Sequence, residues 1–255
     1  MKRIIILLGI LVSLAAGVDV MSQDLEGVIN YEVKMDMHRR IPKERENMKA
    51  MVPQYRTEKQ QLFFKGNESL YKKVEEDSED DMASGNNGPD GRGGGPRLIM
   101  RSANLTVYLD NADQTRLVAQ DFMGKEYLIS DTLKVSPWKF GTETKVIAGY
   151  ECKQAYYTDE GRRDQPMEIT AWYTDKLRPF LGPDRYQSLP GTILAVDINN
   201  GERVIVAQSI ELRPLKKNEL KKPTSGVKMT QAEYRAMVEE QMKKMGGRDG
   251  FIIRN

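Results

Sequence analysis

Between Gly27 and Met37 the chain alternates with a period of two: Ile29, Tyr31, Val33, Met35 and Met37 fall on one side, Asn30, Glu32, Lys34 and Asp36 on the other. Successive side chains leave a strand on opposite faces, so this stretch predicts a β-strand with one apolar and one solvated face. Such a strand needs partners, and the rest of the chain supplies them. Thr57–Phe64 and Ser69–Val74 flank Lys65-Gly66-Asn67-Glu68 and read as a hairpin; residues 105–109 and 115–120 repeat the device around Asp110–Asp113. Lys125–Ile129, 144–157 and 167–174 add further strands. Thr192–Ile198 and Arg203–Leu212 form the last pair around Asn199-Asn200-Gly201, whose Asn-Gly step accepts the positive φ of a tight turn. Short strands at near-regular spacing, with little helical periodicity between them, predict a mainly β chain built on an antiparallel sheet.

Two segments break the pattern. Residues 75–97 open with Glu75, Glu76, Asp77, Glu79, Asp80 and Asp81 and dissolve into Gly, Asn and Pro. Like-charge repulsion and glycine entropy predict a mobile loop there; calcium is the functional alternative, without an EF-hand ligand ladder to support it. After Pro223 the period becomes helical. Thr230 and Glu233 form a capping box, Tyr234, Met237, Val238, Gln241, Met242 and Met245 make a stripe, and Gly246-Gly247 ends it. That helix should dock, on the core or in a partner's groove. The basic run Arg213, Lys216, Lys217, Lys221 and Lys222 before it reads as a solvated linker.

The first residues carry an address. Met1-Lys2-Arg3 is basic, Ile4–Val12 is apolar, and Val20-Met21-Ser22 offers small residues before Gln23, the layout of a secretory signal cleaved after residue 22. The expected organisation is a signal peptide over 1–22, an antiparallel β domain over 23–212, and a basic linker with an amphipathic C-terminal helix over 213–255. The apolar run is too short to span a bilayer and no cysteine follows it for lipid attachment, so a periplasmic or secreted protein without stable membrane insertion is expected. Lys2, Arg3 and Asp19 leave with the signal, and the formal charge of +2 falls to +1. A chain so nearly neutral lacks the concentrated basic field that nucleic-acid binding needs. Cys152 is the one cysteine, which excludes an intramolecular disulfide; it lies in an alternating stretch, where a strand-buried thiol is expected over a mixed disulfide with a partner.

Reaction chemistry is sparse. The one histidine, His38, is not accompanied by a GxSxG elbow, and one His with one Cys cannot complete a zinc site. Glycine-rich 85–95 lacks the Gly-Lys-Ser/Thr of a phosphate loop. No cofactor is implied. Two alternatives stay open: paired carboxylates could hydrolyse a glycoside if two acids converge at ~5–10 Å, and Met35, Met37 and His38 offer the soft thioether and imidazole ligands that suit Cu(I). Since Met35 and Met37 share the apolar side of the alternation, core packing is the ordinary expectation for them.

Ser188-Leu189-Pro190-Gly191-Thr192-Ile193-Leu194 resembles the Gly-Leu-Pro-Gly-Leu-Ile signature of the GLPGLI family. Tyr150-x-Cys152-x-x-Ala155, Ala171-Trp172-Tyr173-Thr174, Gly182-Pro183 before Tyr186, and Gly27-x-Ile29-x-Tyr31 support the likeness over most of residues 26–212. Ser188 and Thr192 depart from the signature, so positive φ is expected at Gly191 and not at 188. The resemblance implies an exported protein of a Gram-negative envelope, associated with outer-membrane transport systems, and brings no activity. Leu189, Pro190, Gly191 and Ile193 read as a turn that sets hairpin register, with direct ligand contact as the alternative. A curled antiparallel sheet with a packed helix is also similar to the LolA-like half-barrel carriers of lipoproteins and lipids, an analogy of fold. The expected function is that of a non-enzymatic binding or accessory protein holding an apolar ligand or an envelope-protein segment, an outer-membrane transporter being one such partner. A concave face lined by exposed apolar residues would favour carriage, and a filled one would weigh against it.

Overall fold

The alternation at 27–37 becomes strand β1, Glu26–Asp36, with Ile29, Tyr31 and Val33 buried and Glu32 and Lys34 exposed. This computed structural model describes residues 25–74, 105–160 and 166–246. The expected signal segment, the expected acidic loop and Gly247 lie outside the described residues. Strands β2 (Tyr55–Lys65), β3 (Glu68–Lys73), β4 (Leu105–Asp110), β5 (Thr115–Phe122) and β6 (Lys125–Thr132) follow. Next come β7 (Lys139–Ile147), β8 (Tyr150–Asp159), β9 (Met167–Thr174), β10 (Thr192–Ile198), β11 (Arg203–Leu212), β12 (Val227–Thr230) and helix α1 (Gln231–Gly246). All twelve strands join one open, curled sheet in the order β12-β6-β5-β4-β3-β2-β1-β11-β10-β9-β8-β7. Every pairing is antiparallel except β12 with β6. The product is a mainly β half-barrel with a C-terminal helix.

Local chemistry explains the turns and the curl. Asn199, Asn200 and Gly201 all take positive φ between β10 and β11. The stretch 144–157 proves to be a hairpin, turning at Ala148-Gly149 with both φ positive, as a two-residue turn between twisted strands requires. Register shifts at Asn30/Tyr31, Ile193/Ala195 and Phe140/Thr144 insert bulges that bend the strands bearing them.

The two faces are covered differently. The inner face holds the main core, from Val118, Tyr127 and Ile129 across Ile29, Tyr31 and Leu62 to Ile169, Ala171 and Val196. Helix α1 closes the β5–β6 end: Tyr234 meets Phe122 and Tyr127 edge-on, at ring-centroid separations of 6.3 and 5.6 Å, and takes a hydrogen bond from Gln120. Its capping box is present, with Thr230 Oγ1 accepting from Glu233 N–H and Glu233 accepting from Thr230 N–H. On the outer face Val28, Phe63, Leu70 and Tyr108 are covered by Leu215 and Leu220. Leu215 and Leu220 thus hold the basic segment to the sheet, while Lys216, Lys217, Lys221 and Lys222 stand exposed. Glu219 grips Arg213 with two 2.8 Å contacts, and Lys222 lies over the Tyr108 ring.

Candidate functional site

The residues of the family-like signature do not form a hairpin turn. Between β9 and β10 the chain makes a long excursion, 175–191, that folds onto the inner face and buries Leu177, Leu181, Tyr186 and Leu189 in the core. Leu189 closes the excursion by accepting from Phe180 N–H, and Ile193 N–H donates to Leu181. Thr192, fully buried, donates its hydroxyl to the Arg178 carbonyl at 2.6 Å. Pro190 alone of the signature is exposed. The Tyr31 hydroxyl of β1 donates to the Ile193 carbonyl at 2.6 Å, so the opening strand and the signature, far apart in sequence, are bonded in the core.

The φ expectation at this turn is reversed. Ser188 has φ +70°, whereas Gly191 is not in the left-handed region. Gly191 serves by lacking a side chain: a Cβ there would lie 2.1 Å from the Thr174 carbonyl oxygen. Position 188, where the family signature has glycine, carries a serine in a strained conformation; its Oγ accepts from Ser136 N–H at 3.2 Å, and the neighbouring Gln187 carbonyl accepts from Trp138 Nε1 at 3.0 Å.

The excursion also carries charge inward. Asp184 is buried and accepts from Arg203 Nη1 at 3.1 Å, while Arg185 lies 3.5 Å from Asp159 at the rim. Burial would raise the Asp184 carboxyl, but Arg203, Arg185 and Arg116 together hold it below the usual carboxylate range. Nearby, Arg178 is buried and donates to the Gly66 and Glu68 carbonyls, with desolvation pulling its guanidinium down to about 10. Arg178 thus ties the excursion to the β2–β3 turn.

The inner face is therefore occupied by the chain itself, which weighs against carriage of an apolar ligand there. A groove of about 580 Å³ lies elsewhere, between β5, β6 and the start of α1, with Thr115, Asp131, Lys134 and Arg235 in its wall. Paired-carboxylate chemistry gains no support either: among the described residues every carboxyl with a resolved shift is lowered, and a general acid needs one raised. Met35, Met37 and His38 do not share a strand face. Asp36 accepts from the N–H groups of His38 and Arg39 and turns the chain out of β1, so Met35 packs on the core while Met37 leaves the sheet. His38 Nε2 is 2.8 Å from the Val52 carbonyl. Among the described residues no group of three or more His, Cys, Asp or Glu could hold a metal ion. Cys152 is fully buried, its thiol pushed up to about 11 by burial, as expected of a structural cysteine.

What the sheet leaves open is an edge. Among the described residues strand β7 pairs only with β8; the curl returns it to within reach of β11, but no described strand pairs its outer side. In a two-residue hairpin the residues flanking the turn, here Ile147 and Tyr150, exchange both hydrogen bonds, so Thr144 and Val146 direct their N–H and C=O groups outward. Around this edge Phe140 is 62% and Val146 76% exposed, with Val135 and Tyr156 also in solvent. The sequence pattern does not reveal this strand before residue 144, because four of the five residues Lys139–Glu143 are exposed.

No protein-family model matches the chain, and no curated protein matches it. Solved structures of PNGF-II share its fold. The P21 crystal form has a TM-score of 0.53 at 14% identity over 85% of this chain and 34% of that one. The C2 form has a TM-score of 0.54 at 14% identity over 85% and 33%. This chain spans about a third of the length of those structures, and at such identity the likeness is one of fold alone.

Proposed function

We propose that this chain is a non-enzymatic accessory protein of the bacterial cell envelope, of GLPGLI type, that holds an extended segment of a partner protein along the outer edge of β7. One observation carries the reading: a nine-residue edge strand with outward backbone groups and exposed Phe140 and Val146. Natural sheets blunt long apolar edges with short strands, covering helices or charge, because a bare edge templates strand addition. Backbone hydrogen bonds would supply affinity and Phe140 and Val146 would supply side-chain contacts, as in β-augmentation. Lys139 and Lys145 favour a segment with acidic residues. The signal-like residues 1–22 support an encounter outside the cytoplasm, and the family resemblance favours a component of an outer-membrane transport system as partner.

The test uses a photo-crosslinking residue at Thr144 in the exported chain and sequencing of the crosslinked peptide. A single extended segment of one envelope protein should be captured. Val146→Pro removes one outward N–H, a change edge strands tolerate, and should abolish capture with circular dichroism unchanged. Undiminished capture by a folded Val146→Pro chain refutes strand addition. N-terminal sequencing of the exported chain should begin at Gln23.

A further inference from the structure

The chain is nearly neutral in total and uneven in place. Residues 213–222 hold Arg213, Lys216, Lys217, Lys221 and Lys222 against Glu219, a net of +4, where the whole chain carries +2. The segment is also anchored. Leu215 and Leu220 pack on Val28, Phe63, Leu70 and Tyr108 of the outer face, Arg213 N–H donates to the Glu26 carbonyl of β1 at 3.2 Å, and Lys216 N–H donates to Glu219 at 2.6 Å. The lysines of a free linker move apart under their own repulsion; these are fixed on one side of the sheet.

The nearby carboxylates are already engaged. Glu219 and Glu211 both contact Arg213, Lys65 pairs with Glu26 at 2.9 Å, and Glu68 accepts from the Tyr108 hydroxyl. Lys216, Lys217, Lys221 and Lys222 are exposed, and among the described residues none of them has a carboxylate within ion-pair distance. Lys72 of β3 joins them: its ammonium lies 5.2 Å from the centroid of the Phe63 ring, as that of Lys222 lies 5.3 Å from the centroid of Tyr108. Set against Glu68, Glu211 and Glu219, these five lysines and Arg213 leave an excess of three positive charges. The excess is spread out. From the Arg213 contact on β1 to the Tyr108 ring on β4 the segment crosses three strand spacings, roughly 14 Å at ~4.8 Å each, so no single small anion could meet it. A surface bearing many negative charges would. Lysine suits that role as a compact point charge on a flexible stem, whereas the one arginine, the residue for forked recognition of a single phosphate, is spent on Glu219. The rings of the patch, Phe63 and Tyr108, are buried, so neither is free to stack on a nucleic-acid base.

We propose that the lysines of residues 213–222, with Lys72, dock the outer face of the sheet on an anionic membrane surface, without insertion. The docking is independent of the β7 edge. Its test is co-sedimentation of the purified chain lacking residues 1–22 with vesicles of phosphatidylethanolamine and phosphatidylglycerol, and with vesicles of phosphatidylcholine alone. Binding to the anionic vesicles only is expected, and it should vanish as salt shortens the screening length from ~10 Å at 0.1 M to ~3 Å at 1 M. Lys217→Gln and Lys221→Gln should each lower the partition coefficient by about fivefold, with circular dichroism unchanged. Lys176→Gln, at an exposed lysine of the inner-face excursion, should leave it unaltered. Absence of binding, equal binding to both kinds of vesicle, or an equal loss from Lys176→Gln and Lys217→Gln overturns the docking. So does binding that appears only once the acids of residues 75–81 are replaced by their amides, which would make that acidic run, close behind Lys72 in sequence, the partner of the lysines.

Discussion

On the inner face, the excursion 175–191 drops Leu177, Leu181, Tyr186 and Leu189 into the core and sets Asp184 among arginines; at β7, Phe140 and Val146 are largely exposed and the backbone of Thr144 and Val146 meets no strand among the described residues. The other edge of the same sheet differs again, since β12 is four residues long and runs directly into α1, whose Tyr234 packs on the inner face. Short length and a covering helix are the ordinary protections of an edge. The contrast teaches where binding is possible. A half-barrel invites the idea of a carried ligand, but here the chain has become its own cargo, and the unpaired backbone of β7 lies at the rim.

The contrast breaks most severely at Gly191. Alanine there would set a Cβ 2.1 Å from the Thr174 carbonyl oxygen and 3.1 Å from the Tyr173 ring, so β9 and the excursion must part. Gly191→Ala should cost about 3 kcal/mol, read as a lowered urea midpoint at unchanged slope. A loss under 1 kcal/mol would mean that the excursion is loosely held and the inner face available after all.

How far the sequence could be read follows the same division. Strands with one buried face announce themselves: β1 and the β2–β3, β4–β5 and β10–β11 pairs follow from alternation and turn residues. Strand β12 does not, because its four residues pair in parallel with β6, Val227 opposite Tyr127, and no local pattern records a partner that distant. The first half of β7 is missed because neither of its faces is buried. At the signature, turn chemistry correctly flags Pro190-Gly191 but assigns the wrong cause, since close approach to Thr174 leaves no periodicity to read. The arginine cluster draws on residues 116, 184, 185 and 203; its one sequence trace is that Arg116 and Asp131 share the strand faces of buried Val118 and Ile129.

A smaller break is expected at Asp184. Asp184→Asn keeps the shape and leaves Arg203 without its carboxylate, for a loss of about 2 kcal/mol given the partial exposure of the pair. The sign of the acid response follows from the lowered carboxyl. The unfolded chain, with its aspartates near ~3.9, binds more protons than the folded one in this range, so stability rises with pH. The contribution is complete above the unfolded value and lost as pH falls through the folded one. Glu219, pulled down to about 2 by Arg213, adds to the same acid limb from the outer face. Melting temperature between pH 5 and pH 2.5 should therefore fall less steeply in Asp184→Asn than in wild type; parallel curves would remove Asp184 from the account.

Ser188 sharpens the comparison, because it measures what the inner face extracts from its own backbone. Substituting both Ser188→Gly and Ser188→Ala removes the Oγ that accepts from Ser136, so their difference reports φ +70° alone. The glycine variant should be the more stable by about 1 kcal/mol. Equal stabilities would mean that the turn relaxes out of the left-handed region.

The smallest effect belongs to β7 and is the more telling for being small. Val146 is 76% exposed and its backbone faces outward, so Val146→Lys should change stability by less than about 0.5 kcal/mol. A lysine at that position nevertheless guards the edge, since a partner strand would have to bury or displace the charge. Partner capture at Thr144 should therefore drop while the melting temperature stays put, the reverse of Gly191→Ala, in which the fold is lost first. If Val146→Lys instead destabilised the chain by 2 kcal/mol or more, Val146 would be a core residue, β7 would be covered in solution, and the edge could not be where a partner binds.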